Sequence, residues 1–234
     1  MLLLALDWTK PRLDRLRALL PFAIVAAAAA LVFAALCDAV GDHNGVTAID
    51  GPVSTWFAAH RSLTEGHVGL LLAKATSPAV LIGLVAVTSL VLRWRGLRLE
   101  STLLAAGTVL AYAAGAIGKL GEHRARPMAP VNLAPETEAS FPSGHVLVVT
   151  TIAFIALTLA WRRLSRAGRI AGTLLASAAV VVIGLDRLVV GAHWLTDVVG
   201  AIALAGVVTC TIAATFAWLR PEPREDAASP VHHP

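Results

Sequence analysis

Residues 194–218 read WLTDVVGAIALAGVVTCTIAATFAW, a run in which Asp197 is the single charged side chain. A helix that crosses the roughly 30 Å hydrocarbon core of a bilayer needs about 20 mostly apolar residues. Windows of this kind recur near 19–40, 69–92, 99–119, 145–161 and 169–189. The sequence therefore predicts an all-α, six-span transmembrane helical bundle with both chain termini on the same side of the membrane.

The composition supports a membrane protein. Apolar residues make up 57% of the 234 residues, and the mean hydropathy is +0.73, above the values of soluble globular domains. The excess of 19 Lys and Arg over 15 Asp and Glu could suggest a nucleic-acid partner. Because the basic residues lie between apolar windows and not on a soluble face, no nucleic acid is expected, and the phospholipid bilayer is the expected partner.

The two ends of the chain are predicted to lie outside the bundle. Basic residues followed by an Ala-rich run resemble a signal peptide, but the window at 19–40 is long enough to span, so we expect a retained first span. We predict a cytoplasmic segment over 1–18, the six-helix domain over 19–220 and a disordered cytoplasmic tail over 221–234. Cys37 and Cys210 lie inside apolar windows and are interpreted as small embedded hydrophobic residues.

The second window is the least regular. Its apolar run after Pro78 reaches only Leu92, which is too short to span alone. The span must therefore begin near Gly69 and include both Lys74 and Pro78, which places Lys74 near one face of the membrane.

Basic residues are distributed unequally along the chain. Most of them lie in the N-terminal segment, in the loops after the second and fourth windows, and in the tail, and cytoplasmic segments collect such residues. Both termini are therefore predicted to be cytoplasmic. Six basic residues fall on or near the opposite side, and most of them require a local reason: Arg61, Lys74, Lys119, Arg124, Arg126 and Arg187.

An apolar stripe at helical spacing, Val53, Trp56, Phe57 and His60, lies between the first two windows. The polar residues Asp50, Ser54 and Arg61 lie off this stripe. The pattern predicts a short helix lying in the outer membrane interface or, equally well, an ordinary loop helix that packs on the bundle.

Three segments place polar residues at membrane depth on the outer side, where unpaired charge is costly. The first runs from Lys119, at the end of the third window, to Arg126 and Pro127. Taken alone, this segment also fits a lysine that extends to the interface and a solvated loop.

The second segment is Phe141-Pro142-Ser143-Gly144-His145, a chain break followed by a helix start. Free N–H groups at a helix N-terminus bind anions, although Ser143 could also serve only as an N-cap. An imidazole at His145 is placed to exchange a proton with a bound anion.

The third segment joins the last two windows and contains Arg187, His193 and Asp197. His193 and Asp197 are four residues apart, so on a helix they share one face, and the carboxylate can hold one ring nitrogen of the imidazole. A buried structural pair is the alternative. Together the three segments bring cations, a helix N-terminus and two imidazoles to one face, and phosphate is the simplest ligand for such a site.

The pattern Lys-x6-Arg-Pro, Pro-Ser-Gly-His and Arg-x5-His-x3-Asp resembles the type 2 phosphatidic acid phosphatase (PAP2) superfamily. The motifs fall in order at Lys119–Pro127, Pro142–His145 and Arg187–Asp197, and they cover spans three to six. One departure is Asp186, where the family commonly has Ser. We expect Asp186 and Lys74 to be secondary site residues, the positions at which this chain most readily differs from its relatives.

The resemblance implies a role for each matching residue. His193 is the nucleophile that forms a phosphohistidine, Asp197 orients it, and His145 protonates the leaving oxygen and then activates water. The phosphoryl oxygens are held by Lys119, Arg126, Arg187 and the backbone at Ser143 and Gly144. No cofactor and no metal are implied, and the sequence contains no carboxylate or Cys/His set suited to one.

The resemblance also implies a membrane lipid phosphate as substrate, such as polyprenyl diphosphate, phosphatidylglycerol phosphate or phosphatidate. The high Arg and Ala contents are typical of GC-rich bacteria, so we expect a bacterial plasma membrane, an active site that faces outward, and a role such as cell wall carrier lipid recycling. A lipid phosphotransferase and a non-enzymatic transporter or scaffold are the alternatives. The vanadate peroxidases that share the motifs are soluble, unlike this chain.

Overall fold

The computed structural model describes residues 10–42, 45–128, 130–134 and 136–219, and within them it is all-α, as predicted. Two short 3-10 turns and eight α-helices make up this described part of the chain. The helices are α1 (Lys10–Gly41), α2 (Asp50–His60), α3 (Leu63–Ala75), α4 (Pro78–Trp94), α5 (Arg98–Glu122), α6 (Gly144–Ala160), α7 (Arg166–Val189) and α8 (Leu195–Leu219). The predicted tail at 221–234 and residues 1–9 of the predicted N-terminal segment lie outside the described residues.

Within the described residues, five stretches are long and apolar enough to cross a bilayer: Leu16–Gly41, Arg98–Glu122, Gly144–Arg163, Arg166–Val189 and Leu195–Leu219. The pair α3 and α4, bent by 47° at a short break, makes a sixth when it is counted as one span. Large apolar side chains on these helices face outward, for example Leu31 (72% exposed) and Leu175 (74% exposed). Such exposure is expected of a lipid-facing surface.

The second span is broken between Ala75 and Pro78, where Pro occupies the first turn of α4 and lacks the N–H that a continuous helix needs. Upstream, α3 begins at Leu63 and not near Gly69 as predicted. A capping box fixes this earlier start, because the Ser62 side chain accepts from Glu65 N and the Glu65 side chain accepts from Ser62 N.

The short helix α2 forms as predicted, and its polar side packs on the protein. Asp50 and Ser54 are buried, whereas Trp56 from the predicted apolar stripe is 55% exposed. Val53 and Phe57 contact the edge of the core. The alternative of a loop helix that packs on the bundle is therefore the better description, with contacts to α7 and α8.

At the centre of the bundle, α8 packs against α1, α5 and α6. Gly200 on α8 permits one close approach, since a Cβ there would lie 2.5 Å from the Phe141 ring. Phe141 is fully buried and also stacks on Phe33 of α1, with ring centroids 5.6 Å apart. This packing fixes the chain just before α6 and so positions the second motif.

Candidate active site

The three motifs meet around a cavity of about 900 Å³ at one end of the bundle. The predicted site residues that line it are Lys74, Lys119, Arg126, Gly144, His145 and His193. Three others, Ser143, Arg187 and Asp197, are fully buried behind this lining. The fold therefore brings together residues that are separated by up to 123 positions in the chain.

His193 lies in the turn between α7 and α8 and is 1% exposed. Its Nδ1 is 3.3 Å from Oδ2 of Asp197, and its Nε2 is 3.2 Å from Nη1 of Arg126. A guanidinium group can only donate, so Nε2 is the acceptor and the ring proton resides on Nδ1. Burial lowers the pKa of His193, although the hydrogen bond to Asp197 opposes this shift. The ring is thus held neutral, with its Nε2 lone pair beside a cation.

The His193–Asp197 contact is present, but the predicted helical basis for it is wrong. Helix α8 begins at Leu195, so His193 precedes the helix and does not share a helical face with Asp197. Instead, Asp197 lies in the first turn, and its Oδ2 accepts from the N–H of Trp194 at 2.9 Å. The same carboxylate caps the helix and orients the imidazole.

Arg126 and Lys119 each form an ion pair with a carboxylate of the α5–α6 loop. Nζ of Lys119 donates to Oε2 of Glu138 at 2.6 Å, and Nη2 of Arg126 lies 2.6 Å from Oε2 of Glu136. The hydrogen bond from Lys119 lowers the pKa of Glu138. Neither glutamate belongs to the predicted site, yet both line the cavity. The two carboxylates thus bind the same two cations that phosphoryl oxygens could bind.

The second motif forms the start of α6, with Ser143 at the N-cap. The Ser143 N–H donates to the Asp197 carbonyl at 3.2 Å, so its backbone is already engaged. The amide of Gly144, the first residue of α6, has no acceptor within its own helix. His145 places Nε2 3.3 Å from the Ala73 carbonyl, and since a carbonyl only accepts, this nitrogen carries a proton.

Arg187 is fully buried and pairs with the neighbouring Asp186 carboxylate, the departure from the family pattern. Its Nη2 also points to the Gly69 carbonyl, at 3.5 Å. Arg187 holds the site turn as well, because its carbonyl accepts from the N–H of Ala192 and, at 3.4 Å, from that of His193.

Two buried polar atoms of the site lack a hydrogen-bond partner within the described part of the chain: Oγ of Ser143 and Nη1 of Arg187. Buried polar groups are usually hydrogen-bonded, and leaving one unpaired costs about 1–3 kcal/mol. Both belong to residues predicted to bind phosphate. The oxygens of a phosphoryl group supply the acceptors that these donors need.

Sequence reasoning missed a second group of residues behind the site. Arg124 contacts Asp197, and Asp50 of α2 contacts Arg124. The sequence offered two signals. Arg124 is a basic residue on the predicted outer side, where few basic residues are expected, and Asp50 is an acidic residue in a short amphipathic helix. Pairing across 74 positions could not be read from either signal.

The fold and the motifs agree with comparisons to known proteins. The family model of the PAP2 superfamily matches residues 100–221, which is more than half of the chain, so the chain belongs to the PAP2 superfamily. It is a multi-pass membrane protein of that family. None of the curated proteins matches it significantly.

Two solved structures share the fold. One is a transmembrane PAP2-type phosphatidylglycerolphosphate phosphatase from Bacillus subtilis, with a TM-score of 0.72 and 22% identity over 82% of this chain and 94% of that chain. The other is LpxE from Aquifex aeolicus, with a TM-score of 0.52 and 19% identity over 71% of this chain and 95% of that chain.

Proposed function

We propose that the chain is a membrane lipid phosphatase that hydrolyses a phosphomonoester or diphosphate headgroup through a phosphohistidine at His193. The observation that carries the proposal is the pair of contacts on the imidazole, Asp197 on Nδ1 and Arg126 on Nε2. This arrangement leaves an unprotonated nitrogen beside a guanidinium, so a phosphoryl group bound by Arg126 is next to its nucleophile.

In the first step, Nε2 of His193 attacks phosphorus and the bond to the lipid oxygen breaks. His145 gives its proton to that oxygen, and the lipid alcohol or lipid monophosphate leaves. In the second step, water attacks phosphorus, His145 takes the water proton, and the N–P bond breaks. Phosphate leaves, and both histidines return to their starting protonation states. Asp197 stabilises the positive charge that develops on His193 in each step.

The shape of the cavity supports a lipid substrate. Beyond its polar end, the walls are apolar and include Leu81 and Ile82 of α4, Tyr112 of α5 and Val148 of α6. The break between α3 and α4 also lines it, through Thr76, Ser77 and Pro78. An acyl or prenyl chain can lie along these walls while its headgroup meets the cations. Because the similar Bacillus subtilis protein is a phosphatidylglycerolphosphate phosphatase, phosphatidylglycerol phosphate is one substrate to test.

The pairing of basic residues supports the proposed orientation, with the site outward and both termini in the cytoplasm. Five of the six basic residues on the predicted outer side have local partners: Arg61 with backbone carbonyls, Lys119 with Glu138, Arg124 with Asp50, Arg126 with Glu136 and Arg187 with Asp186. Lys74 lines the cavity. A reporter fused to the C-terminus that fluoresces only in the cytoplasm tests this orientation, and a dark fusion contradicts it.

We propose that catalysis needs no metal, because the chain's own cations can neutralise the phosphoryl oxygens. The described residues contain no group of three His, Cys, Asp or Glu side chains placed to hold a metal ion. Full activity in excess EDTA is the expected result. Activity that EDTA abolishes and Mg²⁺ restores would overturn this part of the proposal.

The experiment is phosphate release by purified protein from a panel of lipid phosphates and diphosphates in mixed micelles. We expect release from at least one lipid without an acceptor lipid present. Release that requires a second lipid, with the phosphoryl group recovered on it, would identify a phosphotransferase. Failure to hydrolyse any member of the panel despite native folding would favour the transporter or scaffold alternative.

A further inference from the structure

Asp50 is a buried carboxylate that reaches the site from α2, and it is 3% exposed. Its Oδ1 accepts from the N–H of Thr196 at 3.0 Å, and its Oδ2 accepts from the Thr196 hydroxyl at 2.6 Å. These bonds hold the carboxylate over the first turn of α8.

The third bond to Asp50 comes from Arg124. Its Nη2 donates to Oδ2 of Asp50 at 2.6 Å, and its Nη1 donates to Oδ1 of Asp197, also at 2.6 Å. The side chains of Arg124, Asp50 and Asp197 are 9%, 4% and 0% exposed. One guanidinium therefore bridges two buried carboxylates, and only Asp197 also touches the imidazole of His193.

We infer that Asp50 and Arg124 are positioning residues that set the basicity of the nucleophile His193 through Asp197. This inference rests on the proposed phosphohistidine chemistry. Arg124 holds Asp197 in place, but its positive charge partly offsets the negative charge of the Asp197 carboxylate. This reduces the stabilisation that Asp197 gives to a positively charged imidazole. The Asp50 carboxylate offsets part of the positive charge of Arg124 from its other side. The negative charge of Asp197 therefore still raises the basicity of Nε2 of His193.

Other charged groups also face His193, and they remain constant in the test. They are Asp197 on α8, Arg126 and Glu136 from the α5–α6 loop, His145 at the start of α6 and Arg187 at the end of α7. None of them is changed by a substitution at Asp50 or Arg124, so differences between variants report the bridge itself.

The bridge predicts shifts of opposite sign for its two members. Asp50→Asn removes a negative charge, so the pKa of His193 falls and the acid limb of kcat/KM moves to lower pH. Arg124→Gln removes a positive charge, so the limb moves to higher pH. Coulomb's law gives each shift as roughly one pH unit, for a unit charge about 10 Å away at an effective dielectric constant of about 20. The double variant should return close to the wild-type limb.

The matched control is Glu100→Gln. Glu100 is also a buried carboxylate in an ion pair with an arginine, Arg163, at the other end of the bundle. This variant removes a charge of the same kind far from His193. We expect its acid limb to coincide with that of the wild type, even if its stability falls.

The experiment measures kcat/KM against pH for the five proteins with one lipid phosphate, and titrates His193 by NMR of histidine-labelled protein in micelles. Opposite shifts for Asp50→Asn and Arg124→Gln in both readouts support the inference. Equal losses of rate with unmoved limbs would overturn it and leave Asp50 a purely structural residue. If Asp50→Asn does not fold, Arg124→Gln and the charge-neutral double variant decide the sign.

The NMR titration needs no turnover, so it separates two failures. An inactive wild-type protein whose His193 still shifts in opposite directions would overturn the proposed function but not the bridge. An active wild-type protein whose His193 does not shift would overturn the bridge alone.

Discussion

The turn at Gly191 helps to place His193, the proposed nucleophile, and replacing Gly191 with Ala should displace that imidazole. Its φ of +67° lies in the left-handed region, where an L side chain costs about 1–2 kcal/mol. A Cβ at this position would also lie 2.2 Å from the carbonyl oxygen of Val131, roughly 1 Å inside van der Waals contact. The atoms that this Cβ would meet belong to the backbone of Val131 and Asn132, so no side-chain rotation relieves the overlap.

The turn must therefore move by about 1 Å, and His193 is only two residues away. A misplacement of this size costs about 100-fold in rate when reacting groups must be aligned. We expect Gly191→Ala to lower kcat/KM for lipid phosphate by about that factor and to lower the free energy of unfolding by about 2 kcal/mol. Phosphate release in micelles and thermal unfolding in detergent measure the two effects.

Gly83→Ala is the matched control, because Gly83 lies inside α4 and a Cβ there meets nothing within 4 Å. This variant should keep wild-type activity and stability, or gain slightly from the better helix propensity of Ala. A Gly191→Ala protein with wild-type kcat/KM would refute the claim that this turn fixes the position of the nucleophile.

Further outcomes follow for the pH profile, for Glu138 and for Gly200. Because burial lowers the pKa of His193, the neutral, nucleophilic form persists below the ordinary histidine range, so the acid limb of kcat/KM should lie below about pH 6.5. His145 must be protonated to act as the acid, so activity should also fall at high pH, and a flat rate from about pH 4 to 9 would contradict this pairing. Glu138→Gln removes the ion pair of Lys119 and leaves this lysine available to the substrate. Because the Glu138 side chain is 71% exposed, its ion pair is weak, so KM should fall by at most about fivefold with kcat unchanged. A raised KM would count against competition between Glu138 and the substrate for Lys119. Gly200→Ala overlaps the buried Phe141 ring and should cost about 1–3 kcal/mol in thermal unfolding, an effect that unchanged stability would rule out.

The membrane-spanning helices could be predicted from the sequence because apolar length is a local property. Windows at 99–119 and 169–189 lie inside α5 and α7, and all but the first residue of the window at 194–218 lies inside α8. The second span was predicted less well, since Pro78 marks the break but the true start at Leu63 depends on a capping box formed by Ser62 and Glu65. The first turns of α3 contain polar and charged residues, so hydropathy alone does not detect this part of the helix.

The site could be predicted only as far as its motifs reach. His145, His193 and Asp197 are identified by the family pattern, and the structure brings them together. The sequence gives no sign that Glu138 pairs with Lys119, or that Asp50 lies behind Asp197. Those contacts depend on how a loop and a short helix pack on the bundle, and such long-range packing leaves no periodic signal.

The His193–Asp197 pair shows how a correct contact can have a different structural basis. Spacing of four residues predicts a shared helical face, whereas His193 in fact lies in a turn and Asp197 reaches back across the helix start. The consequence is functional, because a residue in a turn is placed by its neighbours. Gly191 and the Arg187 carbonyl therefore matter for His193 in a way that a helical position would not require.

The central claim is that His193 carries the phosphoryl group, and rapid-quench trapping with a ³²P-labelled lipid phosphate tests it most directly. The wild-type protein should show an acid-labile, base-stable label on His193 that appears before phosphate release. His193→Ala should remain folded and inserted but show neither label nor turnover. Label on another residue, or turnover by His193→Ala, would contradict the account.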